Sequence, residues 1–78
     1  MRVLGDGTYS IYVYPETGQP HHWPHCHVRW ADDETVVQLP LPMVIAGPPL
    51  PKNAKLLLIE NLEQICNAWN NINPERAI

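Results

Sequence analysis

Histidine is concentrated in one short run in the first half of the chain. The run reads His21-His22-Trp23-Pro24-His25-Cys26-His27. Imidazole nitrogens bind transition metals and exchange protons close to neutral pH, so this run holds the side chains best suited to chemistry. His25 and His27 are separated by a single residue. On an extended strand both rings project from one face, with their backbones roughly 6.6 Å apart.

One hypothesis for this run is a metal site. Two imidazoles on one strand face can bind the same ion at about 2.1 Å, and His22 in the preceding loop supplies a third ligand beside His25 and His27. Three protein ligands with one open position are typical of catalytic zinc, so Zn²⁺ is the ion that this hypothesis names. Cys26 points to the other face of a regular strand and can join only through a bulge. No Asp or Glu lies nearby in sequence to complete or orient the three histidines.

A second hypothesis is acid–base catalysis with His25 and His27. Histidine titrates near pH 6.5, so one neutral and one protonated ring can coexist, and Arg29 on the same row can hold a phosphate. Such a set is suited to the cleavage of RNA without metal. The alternative is a structural role, in which the histidines hydrogen-bond backbone groups near a strand edge. The structural role is favoured over any one catalytic assignment.

Three strands are predicted to position these residues. The segment 8–14 is rich in aromatic and β-branched residues, the segment 25–30 alternates apolar with polar residues, and a third strand is predicted after a polar turn at 34–39. The core side of the first strand carries Tyr9, Ile11 and Val13. In the second strand, Cys26 lies on the core side and His27 on the outer side. We assign the tyrosines and the tryptophans at 30 and 69 to core packing.

One helix is predicted after the sheet, at 53–72. Its apolar residues recur at spacings of four and three, which makes one stripe along a helix. The stripe consists of Leu58, Leu62, Ile65, Trp69 and Ile72. The intervening segment 40–51 is rich in proline, which interrupts strands, so it is predicted to be an extended connector that can face a partner. The fold class is therefore α+β: residues 1–78 form one domain, with a three-stranded antiparallel meander at 8–39 packed against one C-terminal helix.

Composition and length limit the classes of protein. With 78 residues the core is small, which favours a homodimer or a stable protein partner. The formal net charge of −3 disfavours a large nucleic-acid footprint but allows a local phosphate site. The first residues lack an apolar signal segment, and the apolar runs are too short to cross a bilayer about 30 Å thick. We therefore expect a cytoplasmic protein with no membrane segment. Cys66 is expected to be a buried apolar residue, and a disulfide with Cys26 is left open.

Three features of the sequence occur together in one known bacterial family. They are the strand Tyr9-Ile11-Val13, the run His22-Trp23-Pro24-His25-Cys26-His27-Val28 and the tail Ala68-Trp69-Asn70. From about Gly7 to Ile72 the chain resembles the family called domain of unknown function 4160. Trp23 stands where that family usually has proline, and Cys26 stands where it has an aliphatic residue. Only four residues can therefore be carried over as site residues, namely His22, Pro24, His25 and His27.

The resemblance implies a compact α+β fold in a bacterial cytoplasm. It also implies a gene neighbourhood in which another small protein is encoded beside this one, as in a toxin–antitoxin-like pair. Our first functional hypothesis is therefore a small protein-binding module that forms one component of such a pair. The alternatives are a small ribonuclease or phosphoesterase that uses His25 and His27, with or without metal, and a phage- or plasmid-borne inhibitor of a host enzyme.

Overall fold

The computed structural model describes residues 1–15 and 23–78, and in this part of the chain five strands form one antiparallel sheet beside two helices. The strands are β1 (Arg2–Gly5), β2 (Ser10–Tyr12), β3 (His25–Trp30), β4 (Asp33–Gln38) and β5 (Met43–Ala46). The helices are α1 (Lys52–Glu60) and α2 (Leu62–Ile72), and a short 3₁₀ helix, Pro74–Arg76, follows. The strands lie in the sheet in chain order, which is a meander. The predicted class α+β is confirmed, but the prediction of a three-stranded sheet with one helix is wrong.

The first unpredicted strand, β1, forms a hairpin with β2. β1 is only four residues long and shows no regular alternation of apolar and polar residues. The turn that follows it is stabilised by Asp6, whose Oδ1 accepts hydrogen bonds from the N–H groups of Thr8 at 3.0 Å and Tyr9 at 2.8 Å. Gly7 has a φ of +94°, a conformation that side chains with a Cβ rarely adopt. The Asp-Gly pair between two apolar segments is a hairpin signal that would have predicted β1.

The second unpredicted strand, β5, lies within the segment expected to be an extended connector. The prolines of that segment stand outside β5: Pro40 and Pro42 precede it, and Pro48, Pro49 and Pro51 follow it. The four residues of the strand therefore keep their backbone donors, and β5 pairs with β4 through Val37↔Val44 and Gln38↔Met43. Proline beside an edge strand does not prevent pairing, because only one side of such a strand needs partners.

The predicted helix is divided in two at Asn61. This residue has φ −117° and ψ 20°, which is not helical, and its side-chain Nδ2 donates to the carbonyl oxygen of Leu57 at 2.9 Å. Asparagine competes in this way with the backbone for helical hydrogen bonds. The apolar stripe survives the break, since Leu58, Ile65 and Trp69 are all fully buried. No helix in residues 1–15 and 23–78 combines the length and the apolar character needed to cross a membrane.

The core lies between one face of the sheet and the two helices. Its buried members are Ile11, Val13, Cys26, Val28, Val37, Leu39, Ala54, Leu58, Ile65 and Trp69. The predicted core residues Ile11, Val13 and Cys26 are each completely inaccessible to solvent. Because residues alternate along a strand, the neighbours of these core residues in β2 and β3 are directed to the opposite, outer face of the sheet.

Candidate functional site

Strand β3 places His27 and Arg29 on the outer side of the sheet, as its alternation predicts. His25 shares their side of the strand, but it stands at the first position of β3 and its ring reaches Trp69 of the core. The ring centroids of His25 and His27 are 5.1 Å apart and the two rings meet edge to face. Their exposure differs, because His25 is buried whereas the side chain of His27 is 20% exposed and that of Arg29 is 50% exposed. The two imidazoles are therefore neighbours, but they occupy different environments.

His25 contacts both the backbone and the core of the fold. Its Nδ1 lies 2.7 Å from the carbonyl oxygen of Trp23. A carbonyl oxygen can only accept, so Nδ1 carries a hydrogen and donates it. It also contacts the core, because the His25 ring lies 5.6 Å from the ring of Trp69 in α2. These are the contacts of a histidine with a structural role.

His27 and Arg29 both contact Glu34, which lies across the β3–β4 hairpin. Arg29 is directly opposite Glu34 in the strand register, and its Nε donates to Glu34 Oε1. Glu34 Oε2 lies 3.6 Å from Nδ1 of His27. No Asp or Glu is close to the histidines in sequence, and Glu34 approaches His27 through the fold instead. Trp30 and Asp33 pair around a tight two-residue turn, and this register, rather than closeness in sequence, brings Glu34 to the site.

Ion pairing and burial have opposite effects on the charged forms of this cluster. Ion pairing favours the charged forms of Arg29 and Glu34, whereas burial favours the neutral form of His27. The hydrogen bond from Arg29 lowers the pKa of Glu34, and the same contact raises the pKa of Arg29, so this pair stays ionised. Burial lowers the pKa of His27, and the nearby Glu34 only partly opposes that effect. Nδ1 of His27 is itself buried and has no hydrogen-bond partner within the described residues. At neutral pH the cluster therefore holds one internal ion pair and a neutral His27.

Two tyrosines extend the cluster along the outer face. The rings of Tyr12 and Tyr14 are stacked with centroids 6.0 Å apart, and Tyr14 meets His27 edge to face at 5.0 Å. The guanidinium carbon of Arg29 lies 4.7 Å from the centroid of the Tyr12 ring. The assignment of Tyr12 and Tyr14 to core packing is wrong, because the alternation of 8–14 directs them to the face opposite Ile11 and Val13. The outer-face cluster therefore comprises Tyr12, Tyr14, His25, His27, Arg29 and Glu34.

The predicted metal ligands are only partly assembled in the described structure. His25 and His27 are adjacent, and His22 lies outside the described residues. Within residues 1–15 and 23–78 no three His, Cys, Asp or Glu side chains are grouped so as to hold a metal ion. Cys26 faces the core, where burial raises the pKa of its thiol to about 12, so it is not a ligand on the outer face. Cys26 and the half-buried Cys66 are both free thiols.

A second candidate surface lies at the β5 edge of the sheet. Its exposed apolar residues are Leu41 at 75%, Met43 at 60%, Val44 at 40% and Ile45 at 45% exposure. We call these four residues the edge surface. Beside it is a groove of about 400 Å³, lined by Val37, Pro42, Val44, Gly47, Pro49, Leu50 and Lys55. The sequence predicted only an extended connector at 40–51 that could face a partner, because its prolines argued against a strand.

Comparison with known proteins identifies the family. The family model described as Domain of unknown function (DUF4160) matches residues 8–70, which is most of the chain. The chain therefore belongs to this family, as the histidine run and the Ala-Trp-Asn tail predicted. No curated protein and no solved structure matches the chain significantly.

Proposed function

We propose that this member of the DUF4160 family is a small protein-binding module, one component of a toxin–antitoxin-like pair, and that its edge surface binds the partner. The observation that carries the proposal is the exposure of Met43, Val44 and Ile45 on an uncharged strand at the end of the sheet. Sheet edges in monomeric proteins are normally protected by charge, proline or a covering segment. Clustered exposed apolar residues mark interaction sites.

The two edges of the sheet differ in a way that supports this choice. At the opposite edge, β1 carries the charged Arg2, its Val3 and Leu4 are half-buried against the core, and α2 packs near it. Strand β5 has no charged residue, and all four of its residues are exposed. The β5 edge is therefore the side of the sheet at which an added strand would cover the larger apolar area.

Burial of the edge surface supplies part of the binding free energy of a specific complex, and other contacts supply the rest. Full burial of a Val, Ile or Met side chain is favourable by roughly 1.5–3 kcal/mol. Met43, Val44 and Ile45 are already between 40% and 60% exposed. Covering the exposed part of these three side chains contributes about 3 kcal/mol in total. Each main-chain hydrogen bond to an added strand contributes about 1 kcal/mol more.

Copurification tests this proposal directly. The chain is coexpressed with the small protein encoded beside it and analysed by size-exclusion chromatography at micromolar concentration. We expect one complex for the wild type and separate peaks for Val44→Lys. Ile59→Lys is the matched control, because Ile59 on α1 is 49% exposed and receives the same substitution away from the strand. Independent migration of the wild-type proteins contradicts the proposal, as does a complex that survives Val44→Lys.

A second candidate function is phosphoesterase or ribonuclease activity at the outer-face cluster. The observation that favours it is the placement of Glu34 3.6 Å from Nδ1 of His27. A carboxylate at Nδ1 favours the tautomer in which Nε2 accepts protons, as in hydrolases that use histidine as a general base. His25 lies beside this pair, and Arg29 supplies a cation, although Glu34 already neutralises it.

The decisive variant for this second function is His27→Ala. His25 is buried against Trp69, so its replacement tests the fold as well as the chemistry. We expect His27→Ala to abolish cleavage of RNA oligonucleotides assayed with and without Zn²⁺ or Mn²⁺. Gln38→Ala on the same outer face, opposite His25, is the control and should leave cleavage unchanged. Absence of cleavage by the wild type under all these conditions excludes the activity.

A further inference from the structure

We infer that the partner of the edge surface is an extended segment of another protein, which adds to β5 as a sixth strand, anchors an apolar side chain in the adjacent groove and pairs a carboxylate with Lys55. This inference rests on the proposed protein-binding function and specifies the chemistry of the partner. It is carried by the position of the groove, by its lining and by the distribution of charge around it.

The groove lies where the side chains of an added strand would project. Val44 is opposite the buried Val37 in the strand register, so it points to the helix side of the sheet, and both residues line the groove together with Leu50. Alternate residues of a strand paired with β5 point to that same side. Strand addition gains affinity from main-chain hydrogen bonds and specificity from pockets for alternate side chains. The groove supplies such a pocket.

The size and lining of the groove favour an apolar anchor. Its volume of about 400 Å³ is at the lower end of the roughly 300–1,000 Å³ of small-molecule sites. Six of its seven lining residues are apolar or glycine, and the seventh is Lys55. An aliphatic or aromatic side chain therefore fits the floor of the groove, whereas a charged group is favourable only at the rim.

Charge at the rim selects an acidic segment. Lys55 lines the groove, Lys52 precedes it by one helical turn, and both are exposed. Neither the groove lining nor β5 contains a carboxylate. No carboxylate in residues 1–15 and 23–78 forms an ion pair with Lys55. A partner segment that carries Asp or Glu beside its apolar anchor therefore complements the site.

The same charges disfavour a second copy of this chain as the occupant. A two-fold axis perpendicular to the sheet would pair β5 with its own copy and leave both α1 helices on the same face. Lys55, which lines the groove beside β5, would then add positive charge from both copies on that face, and β5 provides no carboxylate to compensate. Like charges on the same face repel each other, which disfavours this arrangement.

Two synthetic nine-residue peptides test the inference. Both contain alternating valine and threonine, and their ends carry either two aspartates or two lysines. Each peptide is titrated into the ¹⁵N-labelled full chain and followed by amide chemical shifts. We expect the aspartate peptide to shift the amides of β5 and Lys55 and to bind at least fivefold more tightly than the lysine peptide. Lys55→Glu should invert this preference, whereas Arg2→Glu, the same charge change at the opposite edge, should leave it unchanged.

Three outcomes would overturn the inference. They are equal affinity for the two peptides, no shift with either peptide at millimolar concentration, and a concentration-dependent dimer of the chain alone that Val44→Lys abolishes. The last result would assign the edge to a second copy. If the coexpressed partner still depends on Val44 while the peptides are not distinguished, the binding function stands and only the acidic-strand partner is wrong. If Val44→Lys leaves the coexpressed complex intact, the binding function itself fails.

Discussion

Replacement of Trp69 by phenylalanine tests how the core supports the outer-face cluster. Trp69 is fully buried, its ring contacts His25, and its Nε1 donates to the carbonyl oxygen of Arg76 at 2.8 Å. Trp69→Phe removes this hydrogen bond, at a cost of about 1 kcal/mol, and leaves part of the indole volume empty, at a further cost of about 1–2 kcal/mol. For a chain of this length, a loss of about 2–3 kcal/mol lowers Tm by roughly 10–20 °C.

Thermal melting followed by far-UV circular dichroism measures this effect. Trp23→Phe is the matched control, because Trp23 is 67% exposed and its replacement should change stability by no more than about 0.5 kcal/mol. We also expect the His25 ring resonances to move in Trp69→Phe. Equal melting temperatures for the two variants would refute the reasoning, since they would mean that the buried indole contributes no more than the exposed one.

Three further predictions concern titration and reactivity. Because burial lowers the folded pKa of His27 below its ordinary value of 6.5, the unfolded chain binds protons more readily. Stability is therefore full above that pH and falls as the pH drops below it, and urea unfolding of His27→Gln should lack this share of the loss. Asp6→Ala removes the hydrogen-bond acceptor of the β1–β2 turn, so hydrogen exchange of the β1 amides should become faster. These hydrogen bonds lower the pKa of Asp6, so protonation of its carboxylate in acid below about pH 4 should have the same effect on the wild type. At pH 8, a thiol reagent should modify Cys66 well before Cys26, whose buried thiol has a pKa of about 12; equal rates in the folded chain would contradict the core position of Cys26.

Strand β3 could be predicted from sequence because its information is local. Cys26, Val28 and Trp30 alternate with polar residues, and a two-residue period is sufficient to assign both the strand and its faces. The structure gives β3 the predicted bounds of 25 and 30 and places Cys26 in the core. Glu34 could not be assigned to the site in this way, because its contact with His27 depends on the register between two strands.

The errors about the sheet and the helix have separate physical causes. The frequency of proline in 40–51 obscured the short interval Met43–Ala46, in which there is none. The apolar stripe of the predicted helix continues through Asn61, so periodicity alone does not detect a break at which the backbone leaves helical geometry and the Asn61 side chain donates to the carbonyl oxygen of Leu57. In both cases a few local hydrogen-bonding groups determined the structure, whereas the side-chain pattern indicates mainly which face is buried.

The chain-order arrangement of the five strands has a consequence for folding. Each strand pairs with the strand that immediately follows it, so no pairing has to wait for a distant part of the chain. Sheets built from such sequence-local pairings have low contact order, and low contact order is associated with fast folding. The tight β3–β4 turn makes this hairpin the natural first pairing, to which β2 and β5 can add from either side. Newly synthesised chain can thus begin to form its sheet before the residues of α2 have been translated.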